Sequence, residues 1–433
     1  MNDKWRRMCA TGLLLAACSC AGDTGGSGAT PAGVEPASSM LQRNQAPSSN
    51  NIAALAAGSA AFAFDLLHEA SAASPGQNVV FSPLSISTAL AMTYAGARGA
   101  TADEMKRTLH FELEQSALHE AFNAVDLALA SRGEGKAGAD GTPFRLNVNN
   151  SIWAQRGYPV VPAFLDTLAL NYGAGVFLTD FAGDTEGSRK AINGWVAKRT
   201  EQLIPELLEM GTIDGSTVFV LTNTVYFNAS WQTKFEKEAT QAAPFVRLDG
   251  TSVQVDMMNA GLQGAVSYAK GDRYEAVALP YASPELSFLA IVPDQGAYEA
   301  VERAASAAWL AELRGRLATS SVQLALPKLD TKTKTSLRAT LMQLGMNSPF
   351  IDADFSGLTP NPVVIDDVIH EAVLKLFEGG TIAAAATAVT IREVSAPRFE
   401  HTVRFDRPFL YAIVDQPTGQ ILFLGRVLDP SAT

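Results

Sequence analysis

A chain of 433 residues can hold one large domain or two to three average ones, and 47% hydrophobic with 18% charged residues is globular composition. The net charge of −11 argues against a nucleic-acid partner, because phosphate binding draws on clustered Lys and Arg. The three cysteines, Cys9, Cys18 and Cys20, all lie near the N-terminus, which excludes disulfides, cysteine metal sites and thiol catalysis from the rest of the chain.

The first 20 residues read as a targeting segment. Lys4, Arg6 and Arg7 supply a positive start, and Leu13-Leu14-Leu15-Ala16-Ala17 a short apolar core, too short to span a bilayer as a stable helix. Leu15-Ala16-Ala17-Cys18 matches a bacterial lipobox. On that match residues 1–17 are expected to be a signal peptide and Cys18 the lipid-bearing first mature residue; the alternative is an ordinary signal peptide cut nearby, with Cys18 and Cys20 incidental. The match implies a cell-envelope lipoprotein or an extracellular protein, touching membrane only through the lipid. Residues 18–50, rich in Gly, Ser, Ala, Pro and Thr, read as a flexible linker.

The globular part is expected over 51–433. Ile52, Leu55, Phe62 and Leu66 recur at helical spacing. A short strand then ends at Ser82-Pro83, where a helix starts on proline. Small and apolar residues on every face of that helix mark it as buried, and Gly96 and Gly99 end it. Thr101 with Glu104 three residues on suggests a capping box for the next helix. Residues 132–142 read as an exposed glycine-rich loop. Asn149 to Ala154 reads as a strand, Ile192 to Val196 as part of a helix, and the apolar run Val218 to Phe227 as a central buried strand.

From Val368 to Phe377 the even positions are Val, His, Ala, Leu and Leu, with Glu371 and Lys375 at odd ones, as in a strand with one drier face. Gly379 and Gly380 break the run. Thr381 to Ala388 are all small except Ile382. Alanine favours a short helix there. Against it, glycine is a poor N-cap and the run has no apolar stripe. The other reading is a segment that can enter a packed sheet as a new strand, because small side chains fit where large ones would clash. A mixed loop, Thr390 to His401, comes next, and strand signals resume at Val403.

No motif marks an enzyme, and a dispersed Ser-His-Asp triad, which is recognised by geometry, is left for the structure to test. His68, His119 and His370 each precede a glutamate, but none completes His-Glu-x-x-His, and there is no Gly-x-Ser-x-Gly elbow. Gly133-Glu134-Gly135-Lys136 lacks the spacing and the hydroxyl of a phosphate loop. Neither a metal nor another cofactor is called for.

Several stretches together resemble the serpins. One is Asn78 to Thr101, with Phe81-Ser82-Pro83, Ser85, Ser87, Met92 and Gly99-Ala100-Thr101. Others are Asn223, Tyr226, Phe227, Trp231 and Phe235; Leu279-Pro280-Tyr281; Leu326-Pro327-Lys328; Asp354-Phe355-Ser356-Gly357; Asp406-Arg407-Pro408-Phe409; and the hinge-like run from Glu378. The likeness covers about residues 51 to 430 in order. It implies an α+β fold: one serpin domain with a large central β-sheet, smaller accompanying sheets, packed helices and an exposed reactive loop.

The resemblance also implies a function. Serpins act as suicide substrates of serine proteases by reactive-loop cleavage, acyl-enzyme trapping and loop insertion. The hinge would be Glu378, Gly380, Thr381, Ala383, Ala384, Ala385 and Ala386, with Thr381, Ala383, Ala385 and Thr387 facing one side. Ile382 departs from the glutamate common in the family. The family's spacing from the hinge glycine puts the reactive bond at Val394–Ser395, which suits an elastase-like or subtilisin-like protease; Arg392 is the rival bait for a trypsin-like one. Ser82, Ser85, Asn223 and His370 would form a core cluster where the sheet opens. The partner would be a target serine protease, held as a covalent acyl complex by a monomeric inhibitor. The alternative is a non-inhibitory serpin acting as a binding or chaperone-like module.

Overall fold

The computed structural model describes residues 30–138, 141, 143–381 and 398–432. Cys18, Ala383, Ala384, Ala385, Ala386, Val394 and Ser395 lie outside the described residues.

In chain order the strands are β1 (Glu35–Ala37), β2 (Val79–Phe81), β3 (Arg145–Gln155), β4 (Val176–Thr179), β5 (Phe219–Ser230), β6 (Gln241–Val246), β7 (Ser252–Gly271), β8 (Tyr274–Pro280), β9 (Leu286–Pro293), β10 (Ala318–Pro327), β11 (Leu329–Ser336), β12 (Val368–Phe377), β13 (Gly380–Thr381), β14 (His401–Arg404), β15 (Phe409–Asp415) and β16 (Ile421–Val427). The helices up to β5 are α1 (Ile52–Ala73), α2 (Pro83–Tyr94), α3 (Gly99–Thr108), α4 (Gln115–Ala130), α5 (Pro162–Tyr172) and α6 (Thr185–Arg199).

One sheet has seven strands in the order β1-β4-β3-β5-β13-β12-β11. The second is a path β14-β10-β7-β8-β9-β15-β16-β2, with β6 added on β7. The expected smaller sheets are therefore one continuous nine-stranded sheet. The reason is the 20-residue β7, which pairs with β6 at its start, β10 along most of its length and β8 at its end.

Helix α2 lies between the two sheets, against β3, β5 and β16. Ser82 accepts a hydrogen bond from the Ser85 N–H, and Pro83 occupies the first turn, where its missing N–H costs nothing. All of β5 is buried, as a strand covered on both faces requires. Its back face joins the main core, with Val225, Phe227 and Ala229. Its front face is covered by α6 and the loop after it. There Trp153, Trp195, Val196, Leu207, Val220, Ile369 and Val373 form a second core.

Three local expectations are corrected. Thr101 caps nothing: α3 starts at Gly99, and the Thr101 hydroxyl accepts from the Asp354 N–H at 2.8 Å. Glu104 instead accepts from the Asn347 and Ser348 amides, which ties α3 to the segment before β12. Glu371, expected on a wetter face, is fully buried, because the second core covers that face. The Lys332 ammonium reaches its carboxylate at 2.8 Å, and no hydrogen-bond partner of good geometry meets either oxygen among the described residues.

The third correction concerns the linker. From Val34 to Ser48 the chain is laid onto the body, not free of it. β1 pairs antiparallel with β4, Glu35 opposite Leu178 and Ala37 opposite Val176. The Val34 side chain enters the second core. Ser39 donates to Asp166, the Asn44 N–H donates to the Leu170 carbonyl, and Ser48 N–H to Glu120. Arg43 reaches Asn123 at 2.8 Å and Asp126 at 2.7 Å. A Cβ at Gly175 would lie 2.5 Å from the Ala37 carbonyl oxygen, so only glycine lets β1 approach there.

Candidate functional site: the hinge and the seam of the seven-stranded sheet

Strands β5 and β12 run parallel and pair directly over only part of their length, from Leu221 opposite Val368 to Val225 opposite Ala372. Beyond that they part. Into the gap comes β13, antiparallel to both, with Thr381 between Leu376 of β12 and Ala229 of β5, and Gly380 between Phe377 and Ser230. The seam is thus closed in one half and wedged in the other.

The wedge is held firmly. The chain turns back at Glu378-Gly379, and Gly380 has φ of 148°, where a side chain would be strained. The Trp231 N–H donates to the Gly379 carbonyl at 3.0 Å, its indole N–H to the Phe377 carbonyl at 3.0 Å, and the Phe235 N–H to the Glu378 carbonyl at 3.0 Å. The Glu378 side chain accepts from Thr240 at 2.7 Å and pairs with Lys328 at 2.9 Å. Burial alone would raise the Glu378 carboxyl pKa; the Lys328 and Thr240 bonds outweigh it and hold the carboxyl below its ordinary value. Thr381 is buried, its hydroxyl 2.8 Å from that of Tyr281. Burial keeps the Tyr281 phenol protonated, so it can donate or accept in that bond.

The closed half is locked by a polar cluster on the back face. The Ser82 N–H donates to His370 Nε2 at 3.2 Å, which leaves the proton on Nδ1, 2.5 Å from Asn223 Oδ1. The Asn223 amide nitrogen donates to Ser85 Oγ and to Asn150 Oδ1, both at 2.5 Å. His370 and Asn223 are register partners across the seam. Burial drives the His370 pKa down to about 3, so the ring is neutral. Ser82, Ser85, Asn223 and His370 are therefore brought together, with one member the sequence reading missed. Asn150 lies in the stretch read only as a strand; a signal was available in Asn149-Asn150-Ser151, three polar residues leading into the apolar Ile152-Trp153-Ala154.

The other histidines have partners of their own. His119 bonds to Tyr172, His110 to Asp65 and His68 to the Glu302 carbonyl, while His401 stacks on Tyr268. Among the described residues no histidine meets a serine hydroxyl, so no triad of the Ser-His-Asp kind is formed there.

The family model described as Serpin (serine protease inhibitor) matches residues 57–430. An uncharacterized serpin-like protein of Thermococcus kodakarensis is 37% identical over 373 residues, 85% of this chain and 84% of that protein. A leukocyte elastase inhibitor of Sus scrofa is 34% identical over 386 residues, 87% of this chain and 99% of that protein. Among solved structures, the thermophilic serpin tengpin in its native state superposes with a TM-score of 0.80 at 27% identity, over 91% of this chain and 100% of that one. A thyroxine-binding globulin in complex with thyroxine superposes with a TM-score of 0.75 at 30% identity, over 87% of this chain and 99% of that one.

Proposed function

The chain belongs to the serpin family, and from that premise we propose that it inhibits serine endopeptidases as a suicide substrate, with Val394–Ser395 as the bait bond. The observation that carries this reading is the seating of Thr381. The first small residue after the glycines already occupies the gap between β5 and β12.

In this reading the protease serine attacks the Val394 carbonyl and forms an acyl-enzyme, releasing a chain that begins at Ser395. The cut frees the segment after Thr381 to continue down the seam. Extending the register of β13 sets Ala383 opposite Leu374, Ala385 opposite Ala372 and Thr387 opposite His370. On the other side the same register sets Thr387 opposite Asn223. The hydroxyl of Thr387 would then enter between the two groups that lock the seam, as a replacement partner for each. Ile382, Ala384 and Ala386 would face the second core, where an isoleucine is compatible with the apolar surroundings.

About 14 inserted residues at about 3.3 Å each would carry the tethered protease some 45 Å. Each new backbone hydrogen bond contributes on the order of 1 kcal/mol net. Their sum is comparable with the whole stability of a typical domain, about 5–15 kcal/mol. That is enough to distort a protease before water completes hydrolysis. An elastase-like or subtilisin-like target fits Val394, and the 34% identity to a leukocyte elastase inhibitor supports the inhibitor class. Export and a lipid on Cys18 belong to the same proposal.

The deciding experiment mixes the protein with a panel of elastase-like, subtilisin-like and trypsin-like proteases. An SDS-stable complex, and a large rise in melting temperature of the cleaved protein, are expected. Clean cleavage with neither would move the protein to the non-inhibitory reading, a binding module on the same fold.

A further inference from the structure

We infer that residues 33–48 are a mooring that makes the N-terminal segment leave the body at the pole opposite the hinge. A copy held on a lipid surface through Cys18 would then present its reactive loop away from that surface, to proteases in solution. This rests on the anchor and loop readings proposed above, while the geometry of the mooring is independent of both.

The two exits lie at opposite ends of the seven-stranded sheet. Along the β3–β5 pair, Arg145 is opposite Asn228 at one end and Ala154 opposite Phe219 at the other. The hinge is at the first end, since Thr381 pairs with Ala229 and Gly380 with Ser230. The N-terminal segment reaches the second end. The Gly33 carbonyl accepts from Arg156 Nη2 at 2.7 Å, and Arg156 comes directly after β3. The Arg156 N–H in turn donates to Thr179, the last residue of β4. The Arg145–Gln155 strand separates the two ends by about 33 Å at about 3.3 Å per residue.

The mooring is built from specific contacts rather than draped on the surface. Val34 fills a place in the second core, and Glu35 pairs with Arg156 at 3.0 Å. β1 completes the sheet edge, and Arg43 ties the far end of the segment to α4 through Asn123 and Asp126. Gly175 is shaped for the segment: an added Cβ there would meet Ala37 and Ser38.

Chain statistics turn this into an orientation. Fifteen residues separate Cys18 from Gly33. A glycine-rich chain of that length has a root-mean-square reach of about 21 Å, shorter than the sheet. Without the mooring the free length would run to α1 at Ile52, 34 residues away. That gives a root-mean-square reach of about 32 Å, so the mooring shortens the tether by about a third and moves its point of departure from α1 to the pole opposite the hinge.

The test needs no protease and no natural lipidation. The full chain carrying Cys9→Ser and Cys20→Ser is coupled through Cys18 to phosphatidylcholine vesicles that contain a maleimide lipid and an acceptor dye. A donor dye is placed through an azido residue introduced in place of Ser216, near the Gln155 pole, or of Lys237, near the hinge. Energy transfer from position 216 is expected to exceed that from 237 several-fold. Gly175→Ala, which strikes only the mooring, and Val34→Asp combined with Arg43→Ala are each expected to reduce the difference at least twofold without changing the melting temperature by more than a few degrees. Equal transfer from both positions in the unmodified mooring, or a difference that neither variant halves, overturns the inference. If the variants do not fold, the comparison of 216 with 237 decides alone. Loss of protease trapping leaves this measurement untouched, so failure of the inhibitor reading is seen separately.

Discussion

The hydroxyl oxygens of Thr381 and Tyr281 are 2.8 Å apart in a fully enclosed site, and Tyr281 is itself stacked on Trp231 at 4.7 Å between ring centroids. The hinge is therefore anchored by a side chain of the core, not only by backbone pairing. Thr381→Arg would have to bury a charge against Tyr281, at a cost of several kcal/mol if unpaired. Because Thr381 is already seated in the uncut chain, that cost would expel the hinge from the gap and leave insertion to start without its first pairs. Protease should cut this variant at the same bond and at an unchanged rate, with no SDS-stable complex and an unaltered circular dichroism spectrum. Thr381→Val keeps the shape and leaves the Tyr281 hydroxyl alone, at about 1–3 kcal/mol. It should trap protease with reduced stoichiometry. Full trapping by the arginine variant would remove the insertion mechanism.

In the proposed reading the residue before the cut sets the target. Val394→Arg should weaken inhibition of an elastase-like protease by at least tenfold, about 1.4 kcal/mol, and create inhibition of a trypsin-like one. Mass spectrometry of the released C-terminal peptide should find Ser395 at its start. A peptide starting at Glu393 would identify Arg392 as the bait.

Acid should weaken the fold before it touches most carboxylates. Burial holds His370 at about 3 and His119 at about 4, against an ordinary value of 6.5. Both are neutral when folded, so the unfolded chain takes up protons first as pH falls. Their contribution is complete above about pH 6.5 and declines below it, by up to about 1.4 kcal/mol per pH unit for each histidine. The decline ends near pH 4 for His119 and near pH 3 for His370. Urea melts between pH 4 and 6 should give a slope shallower by about 1.4 kcal/mol per pH unit in His119→Phe than in the wild type. An unchanged slope would mean that His119 protonates in the folded state.

Lipidation has a direct readout. Wild-type protein expressed with its own leader should fractionate with membranes, and Cys18→Ala should move to the soluble fraction. Equal partitioning of the two would withdraw the anchor.

Sequence alone reached the elements whose signals are local. Ser82-Pro83 announces α2 because the cap and the proline act within one turn, and the continuous apolar run at β5 suits a buried strand. The polar cluster was legible through the family likeness rather than through periodicity, and Asn150 escaped because its partners are far away in the chain. Thr101 and Glu104 form a capping pattern in sequence, yet both side chains are claimed by residues 253 and 244 positions on, Asp354 and Ser348. The segment from Val34 to Ser48 was misread for the same reason. Its own composition is that of a linker, and what fixes it is held by Gly175, Asn123, Asp126 and Asp166. Composition reports what a segment can bury by itself, and this one is held by what other segments offer it.

The seat of Thr381 also bears on the fidelity of strand addition. Side chains on a strand alternate between faces, so a slip of one residue would turn Thr381, Ala383 and Ala385 outward and drive Ile382 into the space beside Tyr281. A strand entering an empty gap has to find its register by trial. Here the pairs Gly380–Ser230 and Thr381–Ala229 exist before any bond is cut. If the segment after Thr381 inserts as proposed, these two pairs set its alignment, and a slipped insertion would first have to undo the Trp231 and Tyr281 contacts that hold the wedge.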